Sequence, residues 1–442
     1  MARALNFALV LLVSGSEAAM AAGFGLKEHS TEAMGSAYAG VAASGSAQAL
    51  SYNPASLAGV TDNDISISLV EILPTSSANY SVATTAAGTP ASGTRTPSSF
   101  IGDAPIPDLV IRHRLSDDLT MGLSVSVPYG LKTSYPAGWA GRYYALKTSL
   151  VTVDIAPSIA YQVTPSLWLG ASLEVEYARG ELTSAIDIGS IGASLRIPGS
   201  VPGALDGGAR LSGIDWNEGF TLGAIDQITP DLTLGLSYQS AIRHNLGGSL
   251  NFTLDSAGLG AAIRSATGLF TNTRGSAVVT TPDMILAGAR WRLDDRWTGL
   301  AELDWTNWTQ FKNLTVMAQN PAQPNDVTQA NWHSTIFASL GLEYLLDDRW
   351  KLRGGVGYDE SPVPDATRNA RIPDADRVWL AAGAAYQMTP SSSLHLSVAE
   401  LFNSDESVAQ TAGQTGNALR GNLTGITQSS VTTVGLQLTT AF

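Results

Sequence analysis

Cysteine is absent from the 442 residues, so no disulfide framework and no thiolate-held metal can organise this chain. Charge is scarce too. Asp, Glu, Lys and Arg make up 14%, against about 25% in ordinary soluble domains. Basic residues are outnumbered, the net charge is −13, and no Lys/Arg stripe exists to follow a phosphate backbone, which excludes nucleic acid as a partner. Past the N-terminus, no stretch approaches the ~20 apolar residues of a spanning helix. Catalytic signatures are missing as well. His29, His113, His244, His333 and His395 are scattered without metal-ligand spacing, and no G-x-S-x-G elbow occurs. His395 on LHLSV has serines nearby, as many positions in so Ser-rich a chain do. No metal, no cofactor and no enzyme activity are expected.

What is present begins with a leader. Arg3 gives a positive n-region, Leu5–Val13 an apolar core, and Ala19-Met20-Ala21 an A-x-A cleavage site, so residues 1–21 read as a signal peptide. The mature chain is then expected to start at Ala22 or Gly23.

From residue 64 onward the dominant signal has period two. LWLGASLEVEY (167–177), MILAGARWRL (284–293), WTGLAELDW (297–305), IFASLGLEY (336–344) and WKLRGGVGY (350–358) each place apolar residues on one face only. These runs are about ten residues long, the length a tilted strand needs to cross a bilayer, and globular strands average about 5–6. Their apolar faces begin or end in Trp or Tyr, as interfacial girdles require. In lipid, only a closed barrel pairs every backbone group.

The turns set the strand number. Short Asp-, Ser- or Pro-containing turns recur at 116–122, 164–170, 229–235, 293–299, 346–352 and 389–395. Longer polar connections are expected near 73–106, 130–147, 180–213, 242–276, 307–331, 359–376 and 403–428. Six short turns alternating with seven long loops require fourteen strands, with both ends of the sheet in the periplasm. The fold class is all-β, a 14-stranded antiparallel transmembrane barrel spanning 61–442. The final strand, VTTVGLQLTTAF (431–442), ends in Phe442 and resembles the signal read by the barrel-assembly machinery.

Residues 22–60 are rich in small side chains and poor in charge, unlike a disordered tail. They read as a plug, or hatch, folded into the lumen. Ser30 is placed to cap a short helix through Met34. Pro54 fixes φ, and Asn53 can bond its own backbone nearby.

The stretch AGFGLKEHSTEAMGSAYAGVAASGSAQALSYNPASL, with its N-P-A motif, resembles the hatch of the FadL/TodX family of outer-membrane transporters for hydrophobic compounds. VPYGLKTSY (127–135) is similar to the region where the family barrel is kinked in its third strand. PDMILAGARWRLDDRWTGLAELDWTNWTQFKNL (282–314) and the block 341–386, with its DESPVP and IPDADR runs, extend the likeness over most of the chain. The resemblance implies passive uptake: a hydrophobic ligand enters the upper lumen, the hatch shifts, and the ligand leaves sideways into lipid near the kink. It also implies sites. Phe24 would touch ligand or pack the plug. Asn53, Pro54 and Ala55 would gate near the kink or hold the plug structurally. Pro128, Tyr129, Gly130 and Leu131 would form the kink or end the strand. Asp359, Ser361, Arg371 and Arg377 would meet a carboxylate headgroup or brace an outer loop.

One departure concerns the headgroup. GELTSA after Arg179 and VTQANWH (327–333) lack the basic residues the resemblance leads one to expect. Long-chain fatty acids remain the first substrate class, aromatic or other hydrocarbons the second, and a general aqueous porin the third. The expected partners are a hydrophobic small molecule, outer-membrane lipid and the assembly machinery; the expected state is a monomer. No segment resembling a tonB box is present, so no energy coupling is expected.

Overall fold

Period-two alternation becomes one closed antiparallel sheet in the computed structural model, which describes residues 22–58 and 60–442. The leader read over residues 1–21 lies outside the described residues. Twenty strand segments join into fourteen barrel strands, six of them interrupted. They are β1 Asp64–Ala83, β2 Ala104–Arg114, β3 Leu119–Ser126 resuming at Gly130–Ser134, β4 Lys147–Gln162, β5 Leu167–Asp187 and β6 Asp206–Thr229. Then follow β7 Leu232–Gln239 with Arg243–Thr253, β8 Thr273–Thr280 with Asp283–Arg292, and β9 Trp297–Asn307 with Asn313–Ala318. β10 is Asp326–Gln329 with Thr335–Leu345, β11 Trp350–Asp359, β12 Arg377–Thr389, β13 Ser392–Asn403 with Glu406–Gln410, and β14 Leu423–Ala441. Closure comes from β1 on β14, in register from Asp64↔Ala441 to Ala83↔Leu423.

The faces fall as alternation requires. Leu169, Leu173, Leu303, Leu340, Leu342, Val356, Leu380, Leu396 and Leu436 are exposed outward, while Ser66, Ser68, Asp108, Glu174, Glu176, Glu302 and Glu343 are buried inward. A polar residue exposed to water becomes here a polar residue facing a filled lumen. Trp297–Tyr344 and Trp350–Tyr386 pair at ring distances of 4.5 and 4.7 Å beside the short turns, forming part of one girdle.

All six short turns lie where the sequence put them. The long connections are shorter than expected. β1 runs on to Ala83, β5 and β6 pair continuously out to Asp187↔Asp206, and 243–253 with 273–280 are strand. These stretches lose the apolar face because they rise above the lipid, not because they stop pairing. Two helices, α2 (Ile188–Ser194) and α3 (Leu259–Thr267), cap this extension.

Residues 22–58 lie inside the barrel. A helical turn, α1 (Thr31–Met34), is capped by Ser30 Oγ accepting from Ala33 N–H at 3.1 Å. Asn53 Oδ1 accepts from Ala55 N–H at 2.9 Å and starts a 3-10 turn over Pro54–Leu57. Ion pairs tie the segment to the wall: Lys27 to Asp304 at 2.5 Å, and Glu32 to Arg353 at 2.6 Å.

The close approach of Asn53-Pro54-Ala55 depends on two wall glycines. A Cβ on Gly223 would overlap Asn53 Oδ1, and one on Gly170 would overlap the Pro54–Ala55 peptide. Gly223→Val is therefore expected to unseat the segment while the barrel still assembles. Heat-modifiable gel mobility would report the barrel, and raised single-channel conductance would report the emptied lumen.

Candidate functional site

The barrel wall has one discontinuity that side chains alone do not explain. β3 stops at Ser126 and resumes at Gly130. Pro128 carries no N–H, so an unbroken ladder cannot pass through it. On one side the strand stays attached to β4, with Thr152 N–H donating to Tyr129 O at 2.9 Å. On the other side it leaves β2. The β2–β3 ladder ends at Leu109↔Val125, and contact returns only at the bridge Ile101↔Thr133. Between these points the N-terminal segment takes the free edge of β3. Leu26 N–H donates to Pro128 O at 2.9 Å, and Gly130 N–H donates to Phe24 O at 2.8 Å. A three-residue strand from inside the lumen thus covers a gap in the wall.

Phe24 is buried at the centre of an aromatic cluster. Its ring lies 4.7 Å from Trp308, 5.5 Å from Phe311 and Trp332, and 6.0 Å from Tyr129. The cluster separates two cavities. Above it is an apolar pocket of about 490 Å³, lined by Phe24, Leu131, Leu150, Leu246, Val279 and Phe311 among others. Below it is a more polar chamber of about 960 Å³, bounded by Tyr129, Trp308, Lys27, Asp154, Glu174 and Asp359. A third cavity, about 1360 Å³, opens among the outer loops and shares Leu182 and Leu211 with the apolar pocket.

Arg371 lines that outer cavity close to the shared leucines. It is buried, and its guanidinium donates to Thr148 Oγ1 and Thr183 O, both at 3.3 Å. Among the described residues no carboxylate lies within ion-pair distance of it. Burial, aided by the like charge of Arg420, holds its pKa down at about 10, still cationic at neutral pH. Arg420 itself pairs with Asp326 at 2.5 Å.

The other three loop-block candidates gather elsewhere. Arg377 pairs with Asp374 at 2.8 Å and lies 3.8 Å from Asp359. Ser361 Oγ donates to Asp374 Oδ2 at 2.7 Å, and Gly23 N–H donates to the same oxygen at 2.9 Å. This network anchors the start of the N-terminal segment, and Arg371 stands apart from it.

One placement differs from expectation. Asn53, Pro54 and Ala55 do not approach the interruption of β3. Asn53 Nδ2 donates to Ala42 O at 2.7 Å and Ala224 O at 3.2 Å, on β6. The glycines of β5 and β6 leave room for Asn53, Pro54 and Ala55, and the interruption is met instead by Phe24–Leu26. Tyr129 lies at the interruption, and Leu131 lines the apolar pocket. Sequence reasoning missed Asp374 and the aromatics Trp308, Phe311 and Trp332. The density of rings in WTNWTQF (305–311), inside a connection expected to be polar, was the available signal.

Ser393 Oγ lies 3.1 Å from His395 Nε2, with Glu32 3.9 Å from Nδ1. It resembles a triad but has the wrong tautomer. Arg353 points a guanidinium N–H at Nδ1, 3.4 Å away. Nδ1 is then the acceptor and Nε2 carries the proton, so it cannot take one from Ser393.

The family model "Outer membrane protein transport protein (OMPP1/FadL/TodX)" matches residues 12–442. The long-chain fatty acid transport protein of Escherichia coli K12 is 28% identical over 415 residues, covering 89% of this chain and 90% of that one. A Pseudomonas aeruginosa FadL homologue superposes with a TM-score of 0.88 at 24% identity, covering 95% of this chain and all of that chain. The Pseudomonas putida toluene transporter TodX gives 0.68 at 17% identity, covering 90% and 94%. The two structures establish shared fold.

Two buried titratable groups lie in the N-terminal segment beside the gap. Burial pushes Glu28 up to about 7, against the pull of Arg377, and holds His29 down at about 4, where Lys27 pushes the same way. For Glu28, raised from an ordinary 4.5, the seated state weakens as pH rises from about 4.5 to 7. For His29, lowered from an ordinary 6.5, the seated state strengthens as pH rises from about 4 to 6.5. The two slopes oppose each other. Glu28→Gln should leave seating that tightens with rising pH, and His29→Gln seating that loosens. Hydrogen exchange of residues 24–35 across pH 4 to 7 distinguishes them.

Proposed function

The chain belongs to the OMPP1/FadL/TodX family of outer-membrane transport proteins, and from that premise we propose that it takes up long-chain fatty acids by passive diffusion. The family is one of transport channels, not enzymes. In this reading residues 22–58 are the hatch. The acid enters among the outer loops, rests its carboxylate on Arg371 and lays its chain in the apolar pocket beneath. Phe24 and the rings around it then yield, Phe24–Leu26 leave the edge of β3, and the chain slips through the gap between β2 and β3 into lipid. A sideways exit spares an apolar chain about 0.8 kcal/mol per CH₂ that re-entry into water would cost. Export by the leader, insertion through the Phe442 strand and action as a monomer complete the proposal.

The observation that carries it is Arg371. A buried cation with no carboxylate among the described residues within ion-pair distance is expensive unless an anion completes it, and this one lines the outer cavity that shares Leu182 and Leu211 with the apolar pocket. It supplies the headgroup contact that the sequence around 179 and 327–333 lacks. A second reading, uptake of aromatic or other hydrocarbons, draws on the apolar pocket itself, whose lining makes no demand for a headgroup. A general aqueous porin is disfavoured by a lumen filled with buried side chains.

Arg371→Gln separates the first two readings. In cells lacking their own transporter, labelled oleate uptake should fall about tenfold or more, the loss of one charge-assisted hydrogen bond, while labelled toluene uptake should not change. Equal oleate uptake by variant and parent would remove the headgroup role. Toluene uptake without any oleate uptake by the parent would move the substrate class to hydrocarbons.

A further inference from the structure

The gap between β2 and β3 has two edges, and both carry proline. On β2, Pro105 and Pro107 lie in Ala104–Asp108, beyond the last β3 partner. On β3, Pro128 lies within the interruption. Strand amides alternate between the two neighbours. The ladder of β2 on β1 runs unbroken past both prolines, through Leu69↔Pro107 and Glu71↔Pro105 to Ile72↔Ala104. The amide positions at 105 and 107 are therefore those turned toward the gap, and neither has an N–H to offer.

The opposite edge is usable. Pro128 O and the Gly130 N–H point into the gap, where they bond Leu26 N–H and Phe24 O. The first ladder step below the gap, Leu109↔Val125, is intact. An ordinary β2 could go on zipping upward and displace the hatch strand from β3. With two missing donors it cannot.

We propose that Pro105 and Pro107 hold the gap open by making β2 an edge that cannot compete for β3. Phe24–Leu26 is then the sole partner of β3 across the gap. When that strand leaves, an opening remains and does not seal itself. Both are positioning residues, acting through the backbone they leave unpaired. The inference rests on the lateral exit proposed above, deepening it by naming the feature that keeps the exit from closing.

The test is the full-length Pro105→Val/Pro107→Val protein, assembled in outer membranes and purified into nanodiscs. The two amides newly created at positions 105 and 107 should exchange slowly and exchange should quicken in 24–26, as β2 takes the β3 edge from the hatch. Labelled oleate uptake by cells should fall about tenfold or more, at the net worth of two restored hydrogen bonds. Oleate binding to the purified protein should stay within about twofold of the parent, because neither proline lines the apolar pocket. Fast exchange of the new amides at 105 and 107, with exchange at 24–26 unchanged, would overturn the proposal. Slowly exchanging new amides with uptake at the parental rate would leave the prolines their role and overturn the lateral exit. If the double variant does not assemble, Pro107→Val, next to the end of the existing ladder, should give one slowly exchanging amide at 107, and fast exchange of that amide is equally decisive.

Discussion

Backbone hydrogen bonding in a solvent that offers none is the constraint on which this structure turns. Inside lipid each unpaired N–H or C=O costs several kcal/mol, so fourteen strands close on one another, and β1 finds β14 over nineteen residues of β14. Every departure from that closure needs a local reason. The interruption of β3 has Pro128 within it and Phe24–Leu26 across it. The wall is opened at a residue that cannot pair and covered by the backbone of the N-terminal segment.

The same economy explains the lumen. A barrel of this size encloses more space than its inward side chains fill, and the N-terminal segment occupies the remainder. It sits on glycines in β5 and β6, on Asp304 through Lys27, on Arg353 through Glu32, and on Asp374 through the Gly23 amide. These ties hold the segment to the wall both at its start and further along. Phe24–Leu26 are held by two backbone bonds to β3 and by an aromatic cluster, beside the Gly23 amide on Asp374. The N-P-A turn sits on the glycines of β5 and β6.

Polarity is graded along the lumen. The outer cavity has Arg371 and Arg420 on one wall and leucines on another, the middle pocket is apolar, and the lower chamber carries Asp154 and Glu174.

Residue order alone determined the strands, because period-two alternation has one meaning in a chain with too little charge and no spanning helix. LWLGASLEVEY, IFASLGLEY and their fellows face lipid with the residues the pattern named, the six short turns lie in place, and Ser30 and Asn53 cap the turns their chemistry allowed. Extensions above the bilayer were not legible, since a strand there has no face that must be apolar. The site was legible only in parts. Pro128-Tyr129-Gly130 announced an interruption, but only the tertiary structure could show what fills it, because Phe24 and Gly130 are distant in sequence and meet through backbone groups that carry no side-chain signal. It also separated Arg371 from Asp359, Ser361 and Arg377, near neighbours in the chain, because the loop between them folds one toward the cavity and the others onto the hatch. Periodicity reports which face a residue takes; which residues share a space depends on closure of the sheet, a property of the whole chain.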